Sequence, residues 1–342
     1  MMSQLVGCGG LYPLKFVPIY QPRMWGGSQI SEVLHRELPP VTGDPIGESW
    51  ELVDREKEQS VVSNGPLAGS TMQELLRHYG RELVGRKAKS IARFPLLVKL
   101  IDAGDRLSLQ VHPDEAACAR LGGGAEPKTE MWYIIAARKG AQILAGLQGR
   151  ATRQQLVTRL DSPDVETLLQ VYPSMPGDAY FITSGTLHAI GGGNLILEIQ
   201  QNSDTTCRVS DWGRVGADGK PRELHVEQGV QSINFMNRTS PRIAGVSGQV
   251  GHNRKFAVVN RCPFFVVDDL RLVEVWNDDT SATGSFHLLS AINRPVAVAR
   301  ADGAGEPVEL VAGETVLVPA CYGAYTVTPL AEGECTVVRT TL

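Results

Sequence analysis

Residues 177–188 read GDAYFITSGTLH, and residues 313–324 read GETVLVPACYGA. Each opens on a glycine and an acid, runs through a short apolar strand, and turns at a Pro or Ser/Gly mark into another strand. Aligned on Gly177 and Gly313, His188 falls opposite Ala324, so the first copy ends on a possible metal ligand and the second on a blank. Working outward, FPLLVKLI (94–101), MWYIIAA (131–137), NLILEIQ (194–200) and ETVLVPA (314–320) have strand length and β-favouring residues. With 36 Gly and 20 Pro between such runs, turns are frequent. Many short strands with little helix predict an all-β architecture of sandwich or barrel type.

Helical pattern is confined to a few places. Thr71-Met-Gln-Glu74 is a capping box opening Leu75, Leu76, Tyr79 and Leu83 at helical spacing. Ser28 is placed to cap a shorter helix carrying Ile30, Val33 and Leu34, and two short helices fit between Thr152 and Gln170, the second started by Ser162-Pro163. The repeat resembles the second half of the cupin signature, in which a turn delivers a His to the mouth of a jelly-roll barrel. That resemblance implies two cupin-like jelly-roll barrels with a few short helices inserted. The first is a catalytic domain over 1–240 with helical insertions at about 70–88 and 152–170. The second is a smaller degenerate β domain over 255–342, and the polar stretch 238–254 reads as a linker.

Composition narrows the function. The 342 residues carry 42% hydrophobic and 20% charged side chains, an ordinary globular balance with room for two domains. The net charge of −4 offers no basic surface for nucleic acid, so an anionic substrate must be gripped by local cations. No run approaches the roughly 20 apolar residues of a membrane span. MMSQLVGCGGLYPLKF lacks the basic start and apolar run of a signal peptide. Six cysteines without a C-x-x-C pair read as reduced thiols of a cytoplasmic protein.

SLQVHP (108–113) places Gln110 and His112 on one face of a strand, since residues two apart point the same way. PKTEMWYII places Glu130 at the start of another strand with Lys128 on its face, and SGTLHAI supplies His188. Gln110, His112, Glu130 and His188 form an N₂O₂ set that suits Zn²⁺, and Mn²⁺, Fe²⁺ or Co²⁺ less well.

FPLLVKLIDAGDRLSLQVHP, KTEMWYII, PGDAYFITSGTLHAI and NLILEIQQNSDTTCRVSDWGR resemble the successive blocks of short bacterial type I phosphomannose isomerases. PRMWGG, IGESWEL and PRELH fit the same family, and the match runs from about Lys15 to Phe235. The resemblance implies a zinc-dependent aldose–ketose isomerase that interconverts mannose 6-phosphate and fructose 6-phosphate through a cis-enediol. It implies one Zn²⁺ per chain on the same four residues, a small-molecule sugar-phosphate partner, no nucleic acid and no membrane.

The chemistry needs a base within reach of C1 and C2 and stabilisation of a developing oxyanion. By resemblance Arg208 stands at the family's catalytic arginine and Glu198 at an active-site carboxylate. Arginine stays protonated, so Arg208 reads as a clamp on the enediolate. Glu198, a metal-bound water or Lys128 is left as the base. Ser108, Lys99 and Arg214 match the family's anion-binding region, Arg214 standing where other members carry Lys. Cys207 and Ser210 depart from the aromatic residues of many relatives. Pro127 replaces a His of longer bacterial enzymes.

Plainer roles compete. Glu198 and Arg208 form an ordinary ion pair in one reading, and Lys99 snorkels from an edge strand in another. Trp50 and Trp132 read as core, and His225 as a structural histidine. At the level of the whole protein, an Fe²⁺ cupin oxygenase and a non-catalytic sugar-binding cupin share the barrel. Gln110 and the nearby cations weigh against the oxygenase.

Overall fold

A computed structural model describes residues 8–160, 162–216 and 219–342; residues 1–7, read above for a leader, lie outside the described residues. Contacts divide the chain into a central unit, Tyr20–Trp50 with Leu97–Ile243, and a terminal unit, Met1–Ile19 with Glu51–Leu96 and Ala244–Leu342.

In chain order, β1 (Leu14–Lys15) and β2 (Ile19–Pro22) lead to helix α1 (Gln29–Leu34) and β3 (Ile46–Leu52). Helices α2 (Met72–Tyr79) and α3 (Arg81–Val84) follow, then β4 (Leu96–Ala103), β5 (Leu109–Val111) and α4 (Glu115–Leu121). β6 (Glu130–Ala137) and β7 (Gln142–Leu147) precede α5 (Arg153–Arg159) and a 3-10 turn at Pro163–Leu168. Next come β8 (Leu169–Pro173), β9 (Ala179–Ile182), β10 (His188–Ile190), β11 (Asn194–Gln201), β12 (Cys207–Ser210) and α6 (Val226–Ser232). β13 (Arg242–Ile243), β14 (Val246–Val250), β15 (Asn253–Val259), β16 (Val266–Leu272) and β17 (Trp276–Asp279) run to α7 (Thr280–Thr283). The chain finishes with β18 (His287–Ala291), β19 (Val296–Arg300), β20 (Val308–Leu310), β21 (Thr315–Val318), β22 (Ala324–Pro329) and β23 (Cys335–Thr341).

Each unit is a pair of sheets. The central one holds a seven-stranded sheet, β13-β9-β6-β11-β4-β3-β2, and a five-stranded sheet, β12-β5-β10-β7-β8. Ile101, Trp132, Tyr180 and Ile196 of the first pack with Ile143, Ala145 and Ile190 of the second. Each such buried side chain contributes roughly 1.5–3 kcal/mol relative to exposure. The terminal unit has β1-β21-β18-β23-β16-β15-β14 and β17-β22-β19-β20, with Leu270, Leu289 and Val337 packed against Val298 and Val327. The all-β expectation holds. The sheets are separate ladders, so each jelly roll is an open sandwich and not a closed barrel.

The repeat is larger than the sequence echo. Strands β4 to β11 match β16 to β23 in order and in sheet neighbours. Gly177 (φ +89°) and Gly313 (φ +86°) both sit in the left-handed region, which a side chain would strain. Their N–H groups donate to Ile134 O and Ala291 O, on the corresponding strands β6 and β18.

Thr71 and Glu74 form the expected capping box, and Thr152 with Gln155 forms a second. Ser28 occupies the N-cap of α1 but donates its hydroxyl to Glu32; Asp102 caps the helix by accepting from Ile30 N–H at 2.8 Å. Three readings are corrected. Residues 238–254 are not a linker, because β13 pairs with β9 and β14 with β15. The helical insertion near 70–88 belongs to the terminal unit, so the units are not divided at one point near residue 240. Cys8 and Cys321 form a disulfide, Cα–Cα 5.4 Å, so not all six thiols are reduced.

Candidate active site

Sheet register brings the predicted ligands together. His188 opens β10 directly opposite Gln110 on β5, and such partners share a face. Glu130 opens β6 between Ile182 of β9 and Gln200 of β11, and His112 follows β5 at once. One atom each of His112, Glu130 and His188 lie within 4.8 Å of one another, all buried. Gln110 lines the cleft beside them.

Hydrogen bonding fixes what these groups offer. His112 Nδ1 donates to Thr205 O at 3.0 Å and His188 Nδ1 to Thr186 O at 2.9 Å. Each imidazole therefore turns a bare Nε2 inward, the tautomer a metal ligand requires. Those Nε2 atoms stand 3.4 Å from Glu130 Oε2 and Oε1 respectively. Neither has a hydrogen-bond partner among the described residues, nor does Glu130 Oε1. Burial pushes the His188 imidazole down to about 3, which keeps it neutral. Burial works to raise the Glu130 carboxyl, but Lys128 and the two histidines outweigh it and hold the group well below the ordinary range. Three buried lone-pair donors without protons cost roughly 1–3 kcal/mol each when left unpaired. A divalent cation satisfies all of them at once, so the residues fit a metal.

A cleft of about 440 Å³ adjoins this set, with Lys99, Ser108, Gln110, Lys128, Glu198 and Arg208 in its wall. Lys128 Nζ lies 2.9 Å from Glu130 Oε2. Burial alone would lower that lysine, yet Glu130 and Glu198 raise it above the ordinary range. Lys99 Nζ lies 3.5 Å from Glu198 Oε1 and 5.2 Å from the Trp50 ring centre. Trp132 Nε1 donates to Glu198 Oε2 at 3.0 Å. Burial, helped by Glu130 against Lys128 and Lys99, raises the Glu198 carboxyl.

The plainer readings are now decided. Lys99 sits on β4, between β11 and β3 and away from any edge, so it does not snorkel. Glu198 pairs with Lys99, whereas Arg208 donates Nη1 to Glu223 O at 2.8 Å; they are not each other's ion pair. Trp50 and Trp132 are buried, and each also donates its indole N–H to a cleft carboxylate. His225 is the N-cap residue of α6 and lies outside the metal set. Arg214 lines an adjoining cleft of about 260 Å³ and is absent from the wall of the main one.

Further charged residues in the main wall went without a site role in the sequence, Arg23, Glu48, Asp204 and Arg222. Glu48 Oε2 accepts from Trp50 Nε1 at 2.8 Å and Arg23 Nη2 at 2.9 Å. Against burial, Lys99 and Arg23 lower its carboxyl to about 2. The available signals were the PRMWGG, IGESWEL and PRELH blocks, which carried family resemblance without a role for any one residue.

Fold and site together define a cupin with a candidate metal centre opening on a charged cleft. The family model for the catalytic domain of type I phosphomannose isomerase matches residues 13–133. Mannose-6-phosphate isomerase ManA of Bacillus subtilis (strain 168) is 40% identical over 221 residues, covering 65% of this chain and 68% of that protein. Probable mannose-6-phosphate isomerase GmuF of the same strain is 33% identical over 329 residues, 95% of this chain and 97% of its own. The crystal structure of a mannose 6-phosphate isomerase from Bacillus subtilis superposes with TM-score 0.85 at 31% identity, covering 97% of this chain and all (100%) of that one. A phosphomannose isomerase mutant from Salmonella typhimurium shares the fold, with TM-score 0.77 at 15% identity over 97% of this chain and 99% of that one. The chain belongs to the type I mannose-6-phosphate isomerase family.

Proposed function

We propose that this chain is a zinc-dependent isomerase interconverting mannose 6-phosphate and fructose 6-phosphate through a cis-enediol. The observation that carries the proposal is the pair of inward, unprotonated Nε2 atoms facing Glu130 beside a cleft that holds Lys128, Glu198 and Arg208. One Zn²⁺ per chain would be held by Gln110, His112, Glu130 and His188, supplying Lewis-acid polarisation of the substrate oxygens.

The chain's own residues do the rest. Glu198 carries the proton between C1 and C2: its Oε2 is fixed by Trp132, its Oε1 makes no hydrogen bond among the described residues, and its raised carboxyl favours proton exchange. Arg208 clamps the enediolate oxygen, where a positioned donor is typically worth about 10²–10³ in rate. Lys128 offsets the Glu130 charge and stands ready to donate to the substrate. Ser108 and Lys99 take the phosphate end, with Arg214 in the adjoining cleft as a supporting cation. We assign the chemistry to the central unit, and a structural role to the terminal one. The cytoplasm is the proposed location, since sugar phosphates are metabolites of the cell interior.

A coupled assay converting mannose 6-phosphate to fructose 6-phosphate, before and after chelation, tests the reading. Activity should vanish on chelation and return with zinc. Full activity after exhaustive chelation, or recovery only with iron and O₂, ends it.

A further inference from the structure

The segment 23–29 of the central unit borders two clefts. Arg23 and Trp25 stand in the wall of the main one, whereas Gly26, Gly27, Ser28 and Gln29 line a second cleft of about 440 Å³. Strand β4 separates the two. Lys99 and Ile101 belong to the main wall, and Asp102, an odd number of residues from each, points to the other face and lines the second cleft. The Trp25 ring is packed in the core, but the backbone beyond it is held by a few polar contacts. Gly26 bridges to Ala103, Asp105 N–H donates to Trp25 O at 3.1 Å, and Ile30 N–H donates to Asp102 Oδ2 at 2.8 Å. Arg138 also reaches Ser28 and Glu32, but from an exposed position where such pairs contribute little.

Asp102 is the buried member of this group. Its Oδ1 has no hydrogen-bond partner among the described residues, and burial raises its carboxyl to about 6 against the pull of the Ile30 and Gln29 N–H groups. A buried carboxyl with an unmet oxygen destabilises a fold, and a helix cap alone does not require one, because a serine hydroxyl such as that of Ser28 can cap. The segment sits directly on this group. A Cβ on Gly27 would lie 2.0 Å from Asp102 Oδ1, and one on Gly104 would lie 2.3 Å from Gly26 O. A tight turn, Gly26 N–H to Arg23 O at 2.8 Å, ties the seated glycines to Arg23. Arg23 in turn donates Nη2 to Glu48 Oε2 at 2.9 Å, the oxygen that also accepts from Trp50.

We infer that Asp102 is a positioning residue for the active site: by pinning the start of α1 it sets the segment 23–29, and so holds Arg23 and Glu48 in the wall of the main cleft. The inference rests on the isomerase reading above and adds a residue that belongs to neither the metal set nor that wall.

The test measures kcat and KM for mannose 6-phosphate, bound metal, and hydrogen exchange along residues 23–34, all in the full chain. Asp102→Ala should lower kcat/KM by about 10-fold or more with the metal content kept, since a displacement on the order of 1 Å arising far from the chemistry can cost up to about 100-fold. Asp102→Asn keeps an oxygen for Ile30 N–H and should recover most of the loss. Gly27→Ala, which drives a methyl against Oδ1, should reproduce the loss from the other side. The losses should overlap, so that Arg23→Met combined with Asp102→Ala is no worse than Arg23→Met alone. Losses that multiply, or wild-type kcat/KM in Asp102→Ala, overturn the inference. If the wild type fails to turn over mannose 6-phosphate, the isomerase reading fails by itself. Faster exchange along 23–34 in Asp102→Ala, restored in Asp102→Asn, would then still support the pin, and unchanged exchange would overturn it.

Discussion

The central and terminal units are built on one plan, and they treat equivalent positions in opposite ways. Glu130 opens β6 beside Ile182; at the matching place His287 opens β18 beside Val318. Glu198 faces Trp132 where Arg339 faces Leu289, and Gln110 pairs with His188 where Asp279 pairs with Ala324. In the central unit the buried donors are left open: two imidazole nitrogens and a carboxylate oxygen have no hydrogen bond among the described residues. In the terminal unit they are closed. His287 hydrogen-bonds Tyr325 OH at 2.6 Å and Thr283 Oγ1 at 2.9 Å, and Arg339 donates to both Asp268 and Asp278. A polar cluster whose lone pairs are all taken makes a core; one that leaves them bare waits for a ligand.

The comparison breaks most visibly at Glu130. Glu130→Gln should cut the content of bound metal and lower turnover by more than about 100-fold, beyond the loss typical of groups that merely orient a ligand. Metal analysis beside the coupled assay checks this; wild-type metal content and turnover in the variant would erase the distinction between the units. Next in size is Arg339→Met, which takes the shared guanidinium from Asp268 and Asp278 and leaves Asp268 only Lys255 at 3.3 Å as a counter-charge. It should cost about 3–5 kcal/mol in denaturant melts. A neutral effect would mean that the closed network is dispensable.

The smallest effect is expected from pH. Burial lowers the His287 imidazole to about 4, outweighing the pull of Asp278, so the folded state keeps it neutral while the unfolded chain takes up a proton. Its contribution is therefore present above about pH 6.5 and lost as pH falls toward 4, on the order of 3 kcal/mol in all. His287→Gln should flatten the stability curve over that window. Superimposable curves for variant and wild type would show that the histidine does not titrate with folding.

What could be read beforehand follows from range. The glycine echo, the Thr71 capping box and the two strands presenting Gln110, His112 and Glu130 are local patterns, and local sterics or strand alternation govern them. The ligand set could be assembled because each member sits at a strand end or beside one, where register is constrained. Lys99 was harder: PLLVKLI looks the same at a sheet edge or in its middle, and only pairing with β3 and β11 settles which. Arg214 and Arg222 both follow β12 in irregular chain, where spacing says nothing about direction, so the arginine that reaches the main cleft could not be told from the one that does not. Cys8 and Cys321 are 313 residues apart, and no motif links them.

Leu14 and Lys15 of β1 pair with Leu317 and Val316 of β21, partners made roughly 300 residues later. At bacterial or eukaryotic elongation rates of about 5–20 residues per second, the first strand leaves the ribosome tens of seconds before its mate exists. The terminal sandwich can therefore close along this edge only once β21 has been made; until then the early strand has just its other side to pair, where Lys15 O accepts from Ser63 N–H.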